Sequence, residues 1–536
     1  SLPDAFAAFF TEVVRRLFFS GVDRDEETRV KVKELNDEIV LIGQDFARNI
    51  RNGKLTIEVE DVAELDGLPQ DYIDSHKPND EDKIILTTEY PDAVPVFSYA
   101  KSENLRKRMY MAYNNRAFPE NISVLENLAK TRYKLARLLG FEHYADYVTA
   151  DKMIKSASNA DEFITNIVDA SGDRAKREYQ ELLERKRKDF PDATQINRWE
   201  SGYYSELVSK ENYSFDSQSV RPYFQYEKVK KGVLDVTAKL FAVEFRRIEN
   251  AEVWHESVEL WEMFEDGKLA GRFYLDMHPR DDKYSHAAHF GIKTGVAGKQ
   301  IPESSLVCNF PEPTEQPPGL MEYSHVTTFF HEFGHLIHSM FAGRQRWIGI
   351  GGISTERDFV EAPSQLLEEW TKDVSTMQSF ATHFETGEPI PSDLISQMNL
   401  AEEFGKGLAV RRQMEFARLS LSIYDRDSAN IDTDEMVKNI TDEYSLFPFV
   451  EGTHMQTAFG HLDGYSAIYY TYMWSLVLSK DMFSEFDQAN LMAPDVATRY
   501  RKTVLAAGSS KPAKQLVEDF LGRKSNFAAY QNWLNQ

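Results

Sequence analysis

His331-Glu332-Phe333-Gly334-His335 places two imidazoles and a carboxylate where they can hold a metal ion and activate a water. Four residues rise about 6 Å along a helix, just over one turn, so both rings leave the same face. That spacing suits two nitrogens on one Zn²⁺. Glu332 sits one position off that face, where it reaches a water without taking a coordination site, as a general base for hydrolysis must. His338 lies on much the same stripe, but it stands about 10.5 Å of rise from His331, too far for all three rings to share one ion at about 2.1 Å. It is expected to pack or hydrogen-bond near the site.

A catalytic zinc needs a third protein ligand and an open position. Carboxylates follow at Glu356, Glu361, Glu368 and Glu369, after the glycine-rich crossover Trp347–Gly352. Spacing alone leaves these four open. Asp358 as N-cap would make Glu361 the last residue of a capping box, which is a competing use.

The elements that must position these groups are mostly helical. Ser324 as N-cap, the apolar series Phe329, Phe330, Phe333, Leu336, Ile337, Met340 and Phe341, and Gly343 as a stop predict a helix over 324–342. A second helix is predicted from about 358. Helical periodicity also covers 24–52, 102–140, 159–188, 227–243, 391–425 and 462–486. Strand patterns cluster in 253–310, at 269–276, 286–292 and 305–310, and 311–318 reads as a proline-rich turn.

The pairing of His331–His335 with Arg357-Asp358-Phe359-Val360-Glu361-Ala362-Pro363-Ser364-Gln365 resembles the thimet oligopeptidase family of zinc metallopeptidases, which also contains neurolysin and oligopeptidase A. The resemblance implies one Zn²⁺ per chain held by His331, His335 and Glu361, with Glu332 as the catalytic glutamate. The stretch Phe459–Ser475 is similar to the family's substrate-binding loop and tyrosine-bearing helix. His461, Tyr465, Tyr469 and Tyr472 then match residues that contact substrate or the reacting carbonyl. The loop is one residue shorter here, and Asp463 stands where relatives are glycine-rich. Read without the family, the same stretch is an aromatic core stripe.

The resemblance runs over nearly the whole chain, and relatives carry a further N-terminal helical segment. It implies a mainly α fold, with two helical lobes flanking a deep channel and a small β-sheet next to the zinc site. Residues of about 105–210 would form the channel wall, and about 15–104 with 211–536 the catalytic lobe. The implied activity is hydrolysis of internal bonds in short unstructured peptides by a monomer. A dipeptidyl carboxypeptidase of the same family and an inactive peptide-binding protein are the alternatives.

Composition agrees. The 536 residues are 42% hydrophobic and 28% charged, which permits a large core and argues against disorder. A net charge of −24 argues against a nucleic-acid partner, whose phosphates demand a basic surface. No run of about eighteen apolar residues marks a membrane span. Cys308 is the only cysteine, so no intrachain disulfide can form. A reducing compartment fits, the cytoplasm or, if a transit segment has been removed, the mitochondrial matrix.

Overall fold

The computed structural model describes residues 2–280, 283–284, 286–313 and 318–536. The middle of the expected proline-rich turn, 314–317, lies outside them. About 58% of the chain is helical, far above the third usual for globular proteins, so the mainly α expectation holds. No helix among the described residues is long and apolar enough to cross a membrane.

The chain divides into two compact units. One comprises 1–18, 217–399 and 471–536, the other 19–216 and 400–470. This differs from the expected division, since 19–104 and 400–470 join the unit containing 105–210. The reason is packing: Val32 of helix Glu26–Asn52 is buried against Leu135 and Leu139 of helix Glu120–Leu139. Arg132 of the latter helix is buried and donates to the Tyr424 hydroxyl (2.7 Å) and to the Asp463 backbone (2.8 Å) and carboxylate (3.1 Å). Asp463, the departure from the glycine-rich family pattern, thus anchors its loop to this unit's core. A short hairpin, β1 (Thr56–Val59) with β2 (Ile84–Thr87), belongs to the same unit.

The first unit holds the metal motif on helix Tyr323–Ala342. Its N-cap is Glu322, in a capping box with His325, rather than Ser324, while Gly343 ends it as expected. A five-stranded sheet packs beside it: β3 (Glu244–Ile248), β4 (Glu259–Glu265), β5 (Lys268–Asp276), β6 (Ala288–Lys293) and β7 (Glu303–Val307), in the order β3-β4-β5-β7-β6. Only β5 and β7 run parallel. Asp266 and Gly267, both at positive φ, close the β4–β5 hairpin, the backbone twist that two-residue hairpins favour. Phe333 of the motif helix packs edge-on against Phe245 and Phe273 of the sheet, and Ser339 meets Ser304 at 3.2 Å. After β5, Asp276 accepts a bidentate pair from Arg280 (2.6 and 2.8 Å), with Lys283 at 3.0 Å and the Trp254 indole at 2.9 Å. These bonds tie down the turn that leaves the sheet.

Candidate metal centre

The expected second helix from 358 is broken into short pieces: a 3₁₀ turn at Arg357–Phe359, a helix at Ala362–Glu368 and another turn at Glu369–Lys372. Pro363 in the first turn fits a helix start. Glu361 therefore occupies the N-cap position, not the end of a capping box begun at Asp358. Its side chain turns to the motif helix. Glu361 Oε2 lies 3.2 Å from His331 Nε2 and 3.1 Å from His335 Nε2. The two rings stand 5.0 Å apart at 81°. Ser364 Oγ donates to the Glu361 carbonyl at 2.9 Å and lies 3.5 Å from Oε2, fixing the residue at the helix start.

The other three carboxylates hold other partners. Glu356 accepts from the Ala513 amide (2.9 Å) and so caps helix Ala513–Leu521. Glu369 pairs with the buried Lys480. Glu368 Oε1 lies 2.6 Å from His331 Nδ1, while Gln365, the other candidate to orient a histidine, donates to the Tyr472 carbonyl at 3.0 Å. Glu368 is thus the group that orients His331.

That hydrogen bond tests whether a cation fits. An ionised carboxylate only accepts, so Glu368 requires the proton on His331 Nδ1. A neutral His331 then aims a lone pair from Nε2 at Glu361 Oε2, lone pair to lone pair, an arrangement that a metal cation between them relieves and that, without a metal, a second proton on the ring relieves. Burial disfavours a charged His331, yet Glu361 and Glu368 outweigh it and push the imidazole well above its ordinary value. Burial likewise opposes ionisation of Glu361, and the two histidines outweigh it and hold the carboxyl well below its usual range. Ligands around a tetrahedral zinc at 2.0–2.2 Å sit roughly 3.4 Å from one another. The observed contacts of 3.1 and 3.2 Å are close to that, and all three ligand atoms lie within 4.8 Å. Two nitrogens and a carboxylate oxygen are a donor set that zinc accepts with one position left open.

Glu332 is 7% exposed, and its Oε2 has no hydrogen-bond partner. Burial pushes its carboxyl up against the pull of the histidines. His338 is fully buried with neither ring nitrogen bonded and takes no part in the ligand cluster. Gly334, between the ligands, is where the two elements touch: a Cβ there would stand 2.7 Å from Ser364 Cα. Neither Gly334 nor Ser364 was signalled as part of the site by spacing alone.

Tyr472 lies in the first turn of helix Thr471–Phe483, in the same unit, where Ser475 Oγ also donates to the Asp358 carbonyl at 2.9 Å. His461, Tyr465 and Tyr469 belong to the other unit. His461 opens a four-residue helix, and turns run from Tyr465 to Tyr470, so Tyr469 precedes the long helix and does not share a helical face with Tyr472. Tyr469 packs against Phe416 (5.7 Å), Phe459 (5.2 Å) and His461 (5.4 Å), and its amide bonds Ser420 Oγ at 3.2 Å.

Residues 96–535 match the model of peptidase family M3. The thimet-like oligopeptidase of Dictyostelium discoideum is 32% identical over 533 residues, covering 95% of this chain and 79% of that protein. Saccharolysin of Saccharomyces cerevisiae is 32% identical over 543 residues (95% and 75%), and oligopeptidase A of Escherichia coli 29% over 543 (96% and 79%). The fold is similar to that of PZ peptidase A, with a TM-score of 0.57 at 13% identity, covering 96% of this chain and 77% of that one. With a largely buried His–His–Glu cluster and a glutamate without a hydrogen-bond partner beside it, the chain belongs to peptidase family M3 and is a metallopeptidase.

Proposed function

We propose that the protein is a zinc-dependent oligopeptidase that cuts internal bonds of short unstructured peptides. The observation that carries this reading is the meeting of His331, His335 and Glu361 beside the unpaired Glu332 carboxylate. Zinc, when bound there, supplies Lewis acidity that acidifies a water and polarises the scissile carbonyl. Glu332 takes the proton of the attacking water and returns it to the leaving amine. A hydroxyl from Tyr469 or Tyr472 donates to the developing oxyanion, and His461 and Tyr465 hold substrate. These four roles rest on the family resemblance. The outer edge of β6 is unpaired among the described residues, and Phe290 and Ile292 on it are exposed, which suits addition of an extended peptide as a further strand.

Dipeptidyl carboxypeptidase action is the second reading, favoured by 28% identity to the Escherichia coli protein of that name over 536 residues, covering 96% of this chain and 78% of that one. A defined peptide library, digested after chelation and again after zinc is restored, separates them by mass spectrometry. Internal cleavage restored by zinc is expected. Release of C-terminal dipeptides alone would favour the second reading, and no cleavage with zinc present would refute both.

A further inference from the structure

Residues 459–470 lie between the 3₁₀ turn Met455–Ala458 and helix Thr471–Phe483, and they carry His461, Tyr465 and Tyr469. A loop with glycines at 460 and 464 has many conformations to lose before it can bind anything. Two clamps, both inside the same unit as the loop, remove that freedom.

At the first, Arg132 donates from Nη1 to the Leu462 carbonyl at 3.1 Å, and from Nη2 to the Asp463 carbonyl at 2.8 Å and carboxylate at 3.1 Å. One rigid guanidinium fork thus takes two successive carbonyls of the loop. Arg132 is buried, and Asp463 supplies its counter-charge. The carboxylate lies so close to helix Glu26–Asn52 that a Cβ on Gly43 would stand 2.7 Å from its Oδ1. At the second clamp, Ser420 of helix Lys406–Ser422 donates its hydroxyl to the Ser466 carbonyl at 2.5 Å and accepts from the Tyr469 amide at 3.2 Å. Ser466 is held at φ 47°, a left-handed value that strains a non-glycine residue and persists only where its surroundings over-determine it. The anchors alternate with the groups they serve: Leu462 and Ser466 are buried, and His461 and Tyr465 are part-exposed.

We propose that Arg132, Asp463 and Ser420 are positioning residues that set this loop in its peptide-binding conformation before the peptide arrives. The inference rests on the oligopeptidase reading, which gives His461, Tyr465 and Tyr469 their contacts with substrate. When a binding-competent state is only partly populated, apparent affinity falls by that fraction, and saturating ligand restores the state. Loss of a clamp should therefore raise KM and spare kcat. The zinc-loaded full chain and its variants are compared on one short quenched fluorescent peptide, and their hydrogen exchange is followed by mass spectrometry. Asp463→Gly should speed exchange of 459–470 at least about tenfold, the share of one charge-assisted hydrogen bond, and raise KM about threefold. Adding Ser420→Ala should carry the rise in KM to at least about tenfold, with kcat within about threefold of the parent. Asp463→Asn, which keeps an acceptor for Arg132, should hold KM within about twofold. If the double variant does not fold, Asp463→Gly decides by itself. Parent-like loop exchange in that variant overturns the inference, as does faster exchange with an unmoved KM. Exchange that rises as much in helix Ala157–Asp189 of the same unit as in the loop marks a merely structural pair and also overturns it. A parent that cuts no peptide with zinc bound overturns the oligopeptidase reading itself, and this inference with it.

Discussion

Replacing Gly334 by alanine should cost the enzyme its metal before it costs the fold. The new Cβ would sit 2.7 Å from Ser364 Cα, 3.2 Å from the Pro363 carbonyl and 3.3 Å from Ser364 Cβ. Carbon atoms rest about 3.5–4.0 Å apart, so the helix at Ala362–Glu368 must retreat by about 1 Å. Such overpacking costs about 1–3 kcal/mol. Alanine in place of glycine inside a helix returns about 1 kcal/mol, leaving a net penalty of roughly 0–2 kcal/mol on the metal-free fold. The metal site is less forgiving, because ligand distances tolerate only about 0.2 Å. Glu361 travels with the retreating helix while His331 and His335 stay. Zinc affinity should fall at least about tenfold. Competition against a graded chelator reads the affinity, and thermal melts of the metal-free proteins read the fold. Parent-like zinc affinity in Gly334→Ala would refute the view that this contact sets the ligand geometry. An equal loss of metal and fold would refute the separation.

Glu332→Gln should keep stoichiometric zinc while turnover drops by at least about 10², measured as metal content beside peptide cleavage. Glu361→Ala should lose zinc on dialysis, whereas Glu356→Ala should keep it and lose about 1 kcal/mol of stability, because that side chain caps helix Ala513–Leu521. Glu368→Gln removes the charged partner of His331 Nδ1 and should weaken zinc or activity about 10–100-fold, read by the same dialysis and by kcat/KM. Burial opposes ionisation of Asp276, but Arg280, Trp254 and Lys283 outweigh it and hold the carboxyl down from 3.8 to about 2. Its folded value lies below the unfolded one, so its stabilising share is full above about pH 4 and is lost as pH falls toward 2. An Asp276→Asn chain should be less stable at neutral pH and show a shallower acid loss in that window, seen in denaturant melts at stepped pH.

The motif helix was legible because its pattern is local: five residues carry the chemistry, and the apolar series around them has a single period. Glu361 was not separable from Glu356, Glu368 and Glu369 by spacing. What distinguishes them is where Ala513, Lys480 and the His331 ring lie in space, and family likeness supplied the choice instead. Long helices such as Ala157–Asp189 were readable within two residues. The stretch 358–383 was not, since Pro363 and the packing of buried Phe359, Leu366 and Trp370 cut one apparent period into short turns. Strand β3 escaped because it does not alternate cleanly in burial, and β4, inside the strand-rich stretch 253–310, received no bounds of its own for the same reason. The basic run Arg185–Lys188 reads as a solvated face, yet Lys186 is buried on Glu200 at 2.7 Å. Division of the chain was least legible, because it follows contacts between segments hundreds of residues apart.

That division has a consequence for how the enzyme is made. The unit holding the metal ligands is drawn from three stretches of chain, and its last stretch begins at Thr471. Lys480, which neutralises Glu369 in the core, and Ser475, which bonds Asp358 beside the ligand helix, leave the ribosome well after Glu361. At about 5–20 residues per second the interval is roughly 6–24 s. During it, a nascent chain carries a buried-type carboxylate with no counter-charge and a ligand helix with no backing. The metal centre is therefore a late product of synthesis, closed by high-separation contacts that form slowly. Chains stalled or trimmed before Lys480 should hold all three ligands in sequence and yet bind zinc more weakly than the full chain.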